Sequence, residues 1–344
     1  MLCWHNMGTS PLEVRLTERF LVTGALGCIG AWTVKRLVDE GVYVCGFDLP
    51  GEPRRLRLIM DQTRLAGVKF IDGDITDLDR FENVVVEERI THIIHLAALQ
   101  VPFVRADPVA GARVNVVGTT IILEVARRHA DQVQGLVYTS SAGVYGPGSS
   151  FGDGPLQTKS TPEPPTLYGV FKHANEQTAR IYWEEHSLHS IGLRPYVVYG
   201  PGRDQGMTSP PTKAILAAAA KRPYYIPLSG ALGMQYADDV AALFIRAVRL
   251  ASTVGKGAPV IDLGGYHVEM SDWVAAIESV APESKGTITF NKDAGKNVEI
   301  PADAMGSLLG PPAWTPTVEG IRRTLGIFRS AIANGLIDVE RGMA

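Results

Sequence analysis

Six short apolar runs alternate with helix-length segments along the first 200 residues of this 344-residue chain, and that alternation narrows its possible folds more than any other feature. The runs are Arg19 to Thr23, Val42 to Phe47, Val68 to Ile71, His92 to Leu96, Leu136 to Thr139 and Ile191 to Leu193. Between them, Ile29 to Glu40, Val109 to Ala130 and Leu167 to His186 carry helical spacing and few breakers. Strand then helix, repeated, predicts an α/β fold: a doubly wound parallel sheet covered on both faces. After Gly200 the rhythm changes, with Pro201, Pro210, Pro211 and Pro223 punctuating a mostly helical stretch. A further strand-like run, Val260 to Leu263, precedes a helix near Ser271.

Between the first run and its helix lies Thr23-Gly24-Ala25-Leu26-Gly27-Cys28-Ile29-Gly30. In such a pattern Gly24 permits the tight turn out of the strand and Gly27 lets backbone approach a pyrophosphate. Gly30 lets the helix pack on the sheet with its N-terminal amides facing phosphate. Ordinary strand-to-helix turns also carry glycines, but Asp48 follows Gly30 by 18 residues at the end of the next run. A carboxylate there accepts hydrogen bonds from adenosine ribose hydroxyls and repels a 2′-phosphate, which points to NAD over NADP. Arg54 and Arg55 are either a solvated pair or ligands of such a phosphate. Asp74 is either a contact to the adenine amino group or a helix N-cap.

Tyr168 precedes Lys172 by four residues, and Ser141 stands 27 residues before Tyr168. Phenol titrates near pH 10, so a tyrosine becomes a usable base only where a neighbouring cation favours the phenolate. On a helix, i and i+4 share a face, which holds the Lys172 ammonium beside the ring while Ser141 orients a substrate oxygen. Gln100, just after a strand end, is expected to touch substrate, because parallel sheets place ligands at their C-terminal edge. Ser140 and Thr139 are expected to cap that strand end and line the site. Asn115 reads as a structural hydrogen-bonding group or a substrate contact.

Charge and composition exclude several partners. With 33 Lys and Arg against 36 Asp and Glu, the net charge is −3 and no basic stripe awaits nucleic acid. No apolar run is expected to span a membrane, and the first seventeen residues lack the basic start and apolar core of a secretion signal. They read as an extension, with Met7 a possible start. Cys3, Cys28 and Cys45 are too few for a disulfide framework and fit a reducing cytoplasm. No metal is expected: Glu185, His186 and His189 read as a polar helix terminus.

The ordered set Gly24-x-x-Gly27-x-x-Gly30, Asp48, Gly73-Asp74, His95-Leu96-Ala97-Ala98, Asn115-Val116-Val117-Gly118-Thr119, Ser140-Ser141-Ala142-Gly143-Val144-Tyr145-Gly146, Tyr168-x-x-x-Lys172, Leu193-Arg194-Pro195 and Tyr199-Gly200-Pro201 resembles the extended short-chain dehydrogenase/reductase family, the NAD-dependent epimerase/dehydratases. The resemblance runs on through Tyr236-Ala237-Asp238-Asp239-Val240-Ala241 to Leu308-Leu309-Gly310 and Trp314-Thr315-Pro316. It implies a Rossmann sheet, NAD as cofactor, and Ser141, Tyr168 and Lys172 as the catalytic group, with Lys172 also holding the nicotinamide ribose. The expected cofactor contacts are Gly24, Gly27, Cys28, Ile29, Gly30 and Asp48, then Asp74, Ile75, Leu96, Ala97 and Ala98. Asn115, Thr139, Tyr168, Lys172 and Tyr199 complete them, Ala97 and Tyr199 at the nicotinamide end. A homodimer through the helices around Asn115 and Lys172 is also implied. The expected organisation is an extension over 1–17, a cofactor domain over 18–200 with a return at 235–265, and a smaller, mostly helical substrate lobe over 201–234 and 266–335.

Nucleotide-sugar epimerases of this family usually carry an arginine just before the Tyr-x-x-Asp-Asp-Val type segment. Here Leu228-Ser229-Gly230-Ala231-Leu232-Gly233-Met234-Gln235 has no cation, and Asn291-Lys292-Asp293-Ala294-Gly295-Lys296 replaces a later Arg-x-Gly-Asp element. Without an arginine fork the bidentate grip on a diphosphate is lost, leaving Arg203, Lys292 or Lys296 as point charges. The expected substrate is a small polyhydroxylated molecule, a sugar, sugar acid or hydroxy acid, oxidised by a dehydrogenase. A nucleotide-sugar 4-epimerase with retained NAD uses the same three residues. A cofactor-sensing protein without chemistry would not need all three intact.

Overall fold

The structure, a computed structural model, describes residues 18–146, 161–253, 257–293, 297, 299–300, 305, 308–311 and 313–343. The expected extension over 1–17 and Lys296 lie outside them.

In chain order the strands are β1 (Arg19–Thr23), β2 (Tyr43–Asp48), β3 (Lys69–Asp72), β4 (His92–His95), β5 (Gly135–Thr139), β6 (Ile191–Arg194), β7 (Val197–Tyr199), β8 (Tyr224–Ile226), β9 (Ala231–Tyr236), β10 (Val260–Asp262), β11 (Tyr266–Glu269) and β12 (Ile288–Phe290). Seven of them form a parallel sheet in the order β10-β6-β5-β4-β1-β2-β3. Strand order reverses between β1 and β4, and such a switch point opens a crevice beyond the C-terminal strand ends.

Side chains alternate across this sheet. Phe20 and Val22 of β1 join the core under the helices Cys28–Asp39 and Ala237–Thr253, while Leu21 joins Cys45, Phe47 and Ile93 on the other face. That second face is covered by the helices Leu78–Glu87, Gly118–Arg128 and Leu167–His186. Each fully buried aliphatic or aromatic residue contributes roughly 1.5–3 kcal/mol, so a strand with both faces covered needs a continuous apolar run, as these have.

From β7 onward the chain builds two small sheets that the spacing of apolar runs does not predict: β11-β9-β7, and β12-β8. Three of these five strands, β7, β8 and β12, have three residues each, too short for alternation to show. By length and composition, the expectation that no apolar run reaches the length of a bilayer helix does not hold. Pro108–Arg128 is long and apolar enough to cross a membrane by length and composition, with a mean hydropathy of 1.4. Half of it is buried within the protein, where it packs on the helices Leu78–Glu87 and Leu167–His186. Its buried part, with Ile121, Ile122, Leu123 and Val125, is apolar because it joins the core under the sheet.

Candidate functional site

A cavity of about 820 Å³ opens along the C-terminal ends of the sheet strands. At one end its walls are Gly24, Leu26 to Gly30, Asp48, Gly73, Asp74 and Ile75. Near its middle are Leu96 to Ala98, Thr139, Ser141, Tyr168 and Lys172, and beyond them lie Gln100, Tyr145, Tyr196, Arg203, Thr208 and Asn297.

The first end is backbone-built. Gly24 has φ +67°, and a Cβ there would stand 2.7 Å from Ala97 N; a Cβ on Gly30 would overlap the Gly24 carbonyl oxygen. The glycines therefore let the strand end, the Ala97 turn and the helix Cys28–Asp39 converge. Asp48 fixes the same loop: its Oδ2 accepts from Leu26 N and its Oδ1 from Leu49 N, each at 2.8 Å. Burial pushes its carboxyl above the usual range, against those two hydrogen bonds and Arg55. A cradle that a side chain would fill, facing amides and an acidic residue, fits the diphosphate and ribose of a dinucleotide.

Arg55 is not a solvated surface residue. Its Nε and Nη2 bind Asp204 Oδ1 at 3.0 and 2.7 Å, and its Nη1 donates to Leu26 O at 2.8 Å. Arg54 is exposed. Asp74 is no helix cap, since Asp77 caps Leu78–Glu87; Asp74 Oδ1 instead accepts from Thr76 N and Oγ1 at the cavity rim.

Ser141, Tyr168 and Lys172 meet in the middle of the cavity. Thr166 caps the helix Leu167–His186, its Oγ1 accepting from Gly169 N at 3.1 Å, so Tyr168 sits in the first turn. A Cβ on Gly169 would overlap Gly143 O, so glycine lets the Ser141 segment lie against the tyrosine. Ser141 hydrogen-bonds Tyr168 and accepts from Gly143 N at 3.0 Å. Lys172 is almost fully buried; its Nζ donates to Thr139 O at 2.7 Å and stands 5.7 Å from the Tyr168 ring centroid. Burial lowers its pKa to about 8, with Glu176 acting the other way. Burial also raises the Tyr168 hydroxyl, opposed by the Ser141 hydrogen bond and then by Arg203. In this cavity Arg203 is thus a further cation acting on the phenol, in addition to Lys172 over its ring.

Behind these groups runs a buried polar network. Arg194 binds Glu176 through two 2.7 Å contacts and also reaches Tyr145 and Asp262, while Ser140 donates to Glu176. Ser140 therefore anchors the strand end through Glu176 and lines the cavity beside Ser141.

Two expected contacts fall outside the cavity lining. Asn115 is fully buried, with both amide atoms bound to the Leu99 backbone at 2.7 and 2.9 Å. It lies in a π-helical turn, Arg113–Val117, whose Asn115 carbonyl accepts from Asn175 Nδ2 at 2.8 Å. Tyr199 is packed edge-on against Trp273, away from the cavity, and Tyr196 and Val198 line it instead. Arg55, weighed as a phosphate ligand, does line the cavity, and Tyr145, Tyr196, Thr208 and Asn297 line it without being expected there; of these four, Tyr145 lies inside the quoted Ser-Ala-Gly-Val-Tyr run.

A model of the NAD dependent epimerase/dehydratase family matches residues 20–263. An uncharacterized 37.6 kDa protein of Escherichia coli O111:H- is 28% identical over 339 residues, 90% of this chain and 98% of its own length. The UDP-glucose 4-epimerase of Mycolicibacterium smegmatis is 32% identical over 238 residues, 67% of this chain and 72% of its own. The solved UDP-glucose 4-epimerase of Thermus thermophilus, in complex with NAD, has the same fold: TM-score 0.74 at 24% identity, covering 91% of this chain and 99% of that one. By its sequence match and its sheet, the chain belongs to the NAD dependent epimerase/dehydratase family, enzymes with NAD as cofactor and relatives in sugar chemistry.

Proposed function

We propose that this protein is an NAD-dependent oxidoreductase taking hydride from a secondary alcohol of a small sugar, sugar acid or hydroxy acid. The observation that carries this reading is the cation census of the cavity. Among the described lining residues the cations are Arg55, Lys172 and Arg203, and the first two are committed to Asp204 and Thr139 O. The stretch before Tyr236 offers none: Leu232 is buried, and Gln235 spends its side chain on Tyr196 N and Gly264 O. A buried diphosphate without paired cations would give up hydration at a cost of several kcal/mol.

Bound NAD supplies the hydride acceptor. Tyr168 takes the proton of the substrate hydroxyl, and Ser141 donates a hydrogen bond to that oxygen as it becomes carbonyl. Lys172, held by Thr139 O, positions the ribose and keeps positive charge near the phenol. Gln100 faces the substrate. The exposed Val109, Val117, Leu167, Val170 and Ile181 support a homodimer through these helices, which sedimentation equilibrium reads directly.

The test is a screen for NADH absorbance with aldoses, uronic acids and aldonic acids beside UDP-sugars. NADH from a member of the small-molecule panel is the expected result. A second reading, a nucleotide-sugar 4-epimerase with retained NAD, is favoured by the name of the M. smegmatis relative. It predicts interconversion of UDP-sugars without net NADH, and micromolar UDP binding by calorimetry in the presence of NAD would establish it over the first.

A further inference from the structure

Arg203 stands on the loop between β7 and the helix Pro210–Ala219, and among the described lining cations Arg55 is paired with Asp204 and Lys172 with the Thr139 carbonyl, whereas Arg203 meets only neutral side chains. Its Nη2 donates to Thr208 Oγ1 at 2.8 Å and its Nη1 reaches Gln100 Oε1 at 3.4 Å, while its Nε is buried without a hydrogen bond. A buried donor on a charged group left without a hydrogen bond is destabilising, so a group held this way calls for an acceptor. The loop is shaped around it. Gly206 has φ +93°, and a Cβ there would overlap Gln100 Oε1 and approach Arg203 Nη2 to 3.4 Å. A side chain at 206 would occupy the place where guanidinium and amide meet.

We propose that Arg203, with Gln100 and Thr208, recognises a carboxylate on the same small molecule whose hydroxyl reaches Tyr168, so that the substrate is a polyhydroxy acid. This rests on the hydride-transfer reading above and narrows it. The guanidinium fork matches one carboxylate, and the Gln100 amide hydrogens add donors on the same wall. A phosphate or diphosphate would need further charge, and the other lining cations, Arg55 and Lys172, already have partners. Arg203 acts electrostatically on Tyr168 and also on Cys28 of the glycine loop. The cofactor diphosphate is therefore the competing anion, and the experiment must separate the two.

The probes are D-gluconate and D-glucuronate as acids and D-glucose as the neutral comparator, with wild type, Arg203→Gln and Arg203→Lys. Wild type should favour an acid over the aldose in kcat/KM. Arg203→Gln should lower the acid-to-aldose ratio about tenfold to a hundredfold, mainly through KM, with the lysine variant between. NADH affinity, read by nicotinamide fluorescence, should hold in both variants, which also shows that they fold. An unchanged ratio, or a loss confined to NADH affinity, overturns the assignment. Calorimetry of the acids against the NADH-loaded enzyme separates the two readings. Arg203-dependent binding without turnover upholds the carboxylate site and removes the hydride reading. Aldose oxidation indifferent to Arg203, with no acid bound, does the reverse.

Discussion

The two ends of the cavity are built by opposite strategies. At the cofactor end, the wall comes from one βαβ unit and the next strand turn, and backbone amides and missing side chains do most of the shaping. At the substrate end, each wall residue arrives from a different part of the chain: Gln100 after β4, Tyr145 after β5, Tyr196 before β7, Arg203 and Thr208 after it, and Asn297 from far beyond. The first end is set by contacts between near neighbours. The second depends on side chains whose identity is free to vary without disturbing the sheet. A cofactor common to a family and a substrate particular to one member would be accommodated by such a division.

Tyr168, at the junction, gives the strongest test of that division. Tyr168→Phe keeps the ring and removes the hydroxyl, so turnover should fall by at least about a hundredfold while affinity for both ligands stays near wild type. Steady-state kinetics with fluorescence titration of NADH measures both. Near-wild-type turnover would remove Tyr168 as the proton acceptor.

A smaller effect is expected at the cofactor end alone. The Asp48 carboxylate should make kcat/KM for NAD exceed that for NADP by about tenfold or more, through repulsion of the 2′-phosphate. Asp48→Asn should narrow the gap without changing the KM of the substrate. If NADP is the better cofactor of the wild type, the Arg54 and Arg55 loop governs recognition and Asp48 does not.

The least effect is on stability. Burial holds Lys172 at about 8, below the ordinary 10.5 of lysine. Between these values the unfolded chain binds the extra proton, so the contribution of this group to stability rises as pH climbs through that window. Below it, the buried ammonium imposes its full cost. Lys172→Met should therefore melt a few degrees above wild type at about pH 7, with the gap closing toward about pH 10. A gap that does not change with pH would assign the difference to packing.

Much of the cofactor end was legible because its logic is local. Gly24, Gly27, Gly30 and Asp48 stand at spacings fixed by the geometry of one turn, and Tyr168 and Lys172 by one turn of helix. Asn115 and Tyr199 show the limit of that legibility. A buried amide can turn to its own neighbouring backbone, and a tyrosine at a strand end can point into either layer; sequence does not record which. Arg55 and Arg203 were visible as cations, but their surroundings are made by Asp204, 149 positions from Arg55, and by Gln100, 103 positions from Arg203.

The loop after β7 is also fastened to the opposite end of the cavity. Trp32 Nε1 donates to Pro201 O at 3.0 Å from within the helix Cys28–Asp39, and Arg55 ties Asp204 to the Leu26 carbonyl. One piece of wall therefore serves two ligands. Whatever one ligand does to the free energy of that segment, the other must feel by the same factor, since the cycle of two binding events closes. Order of arrival then alters the rates but leaves the total free energy of the ternary complex unchanged.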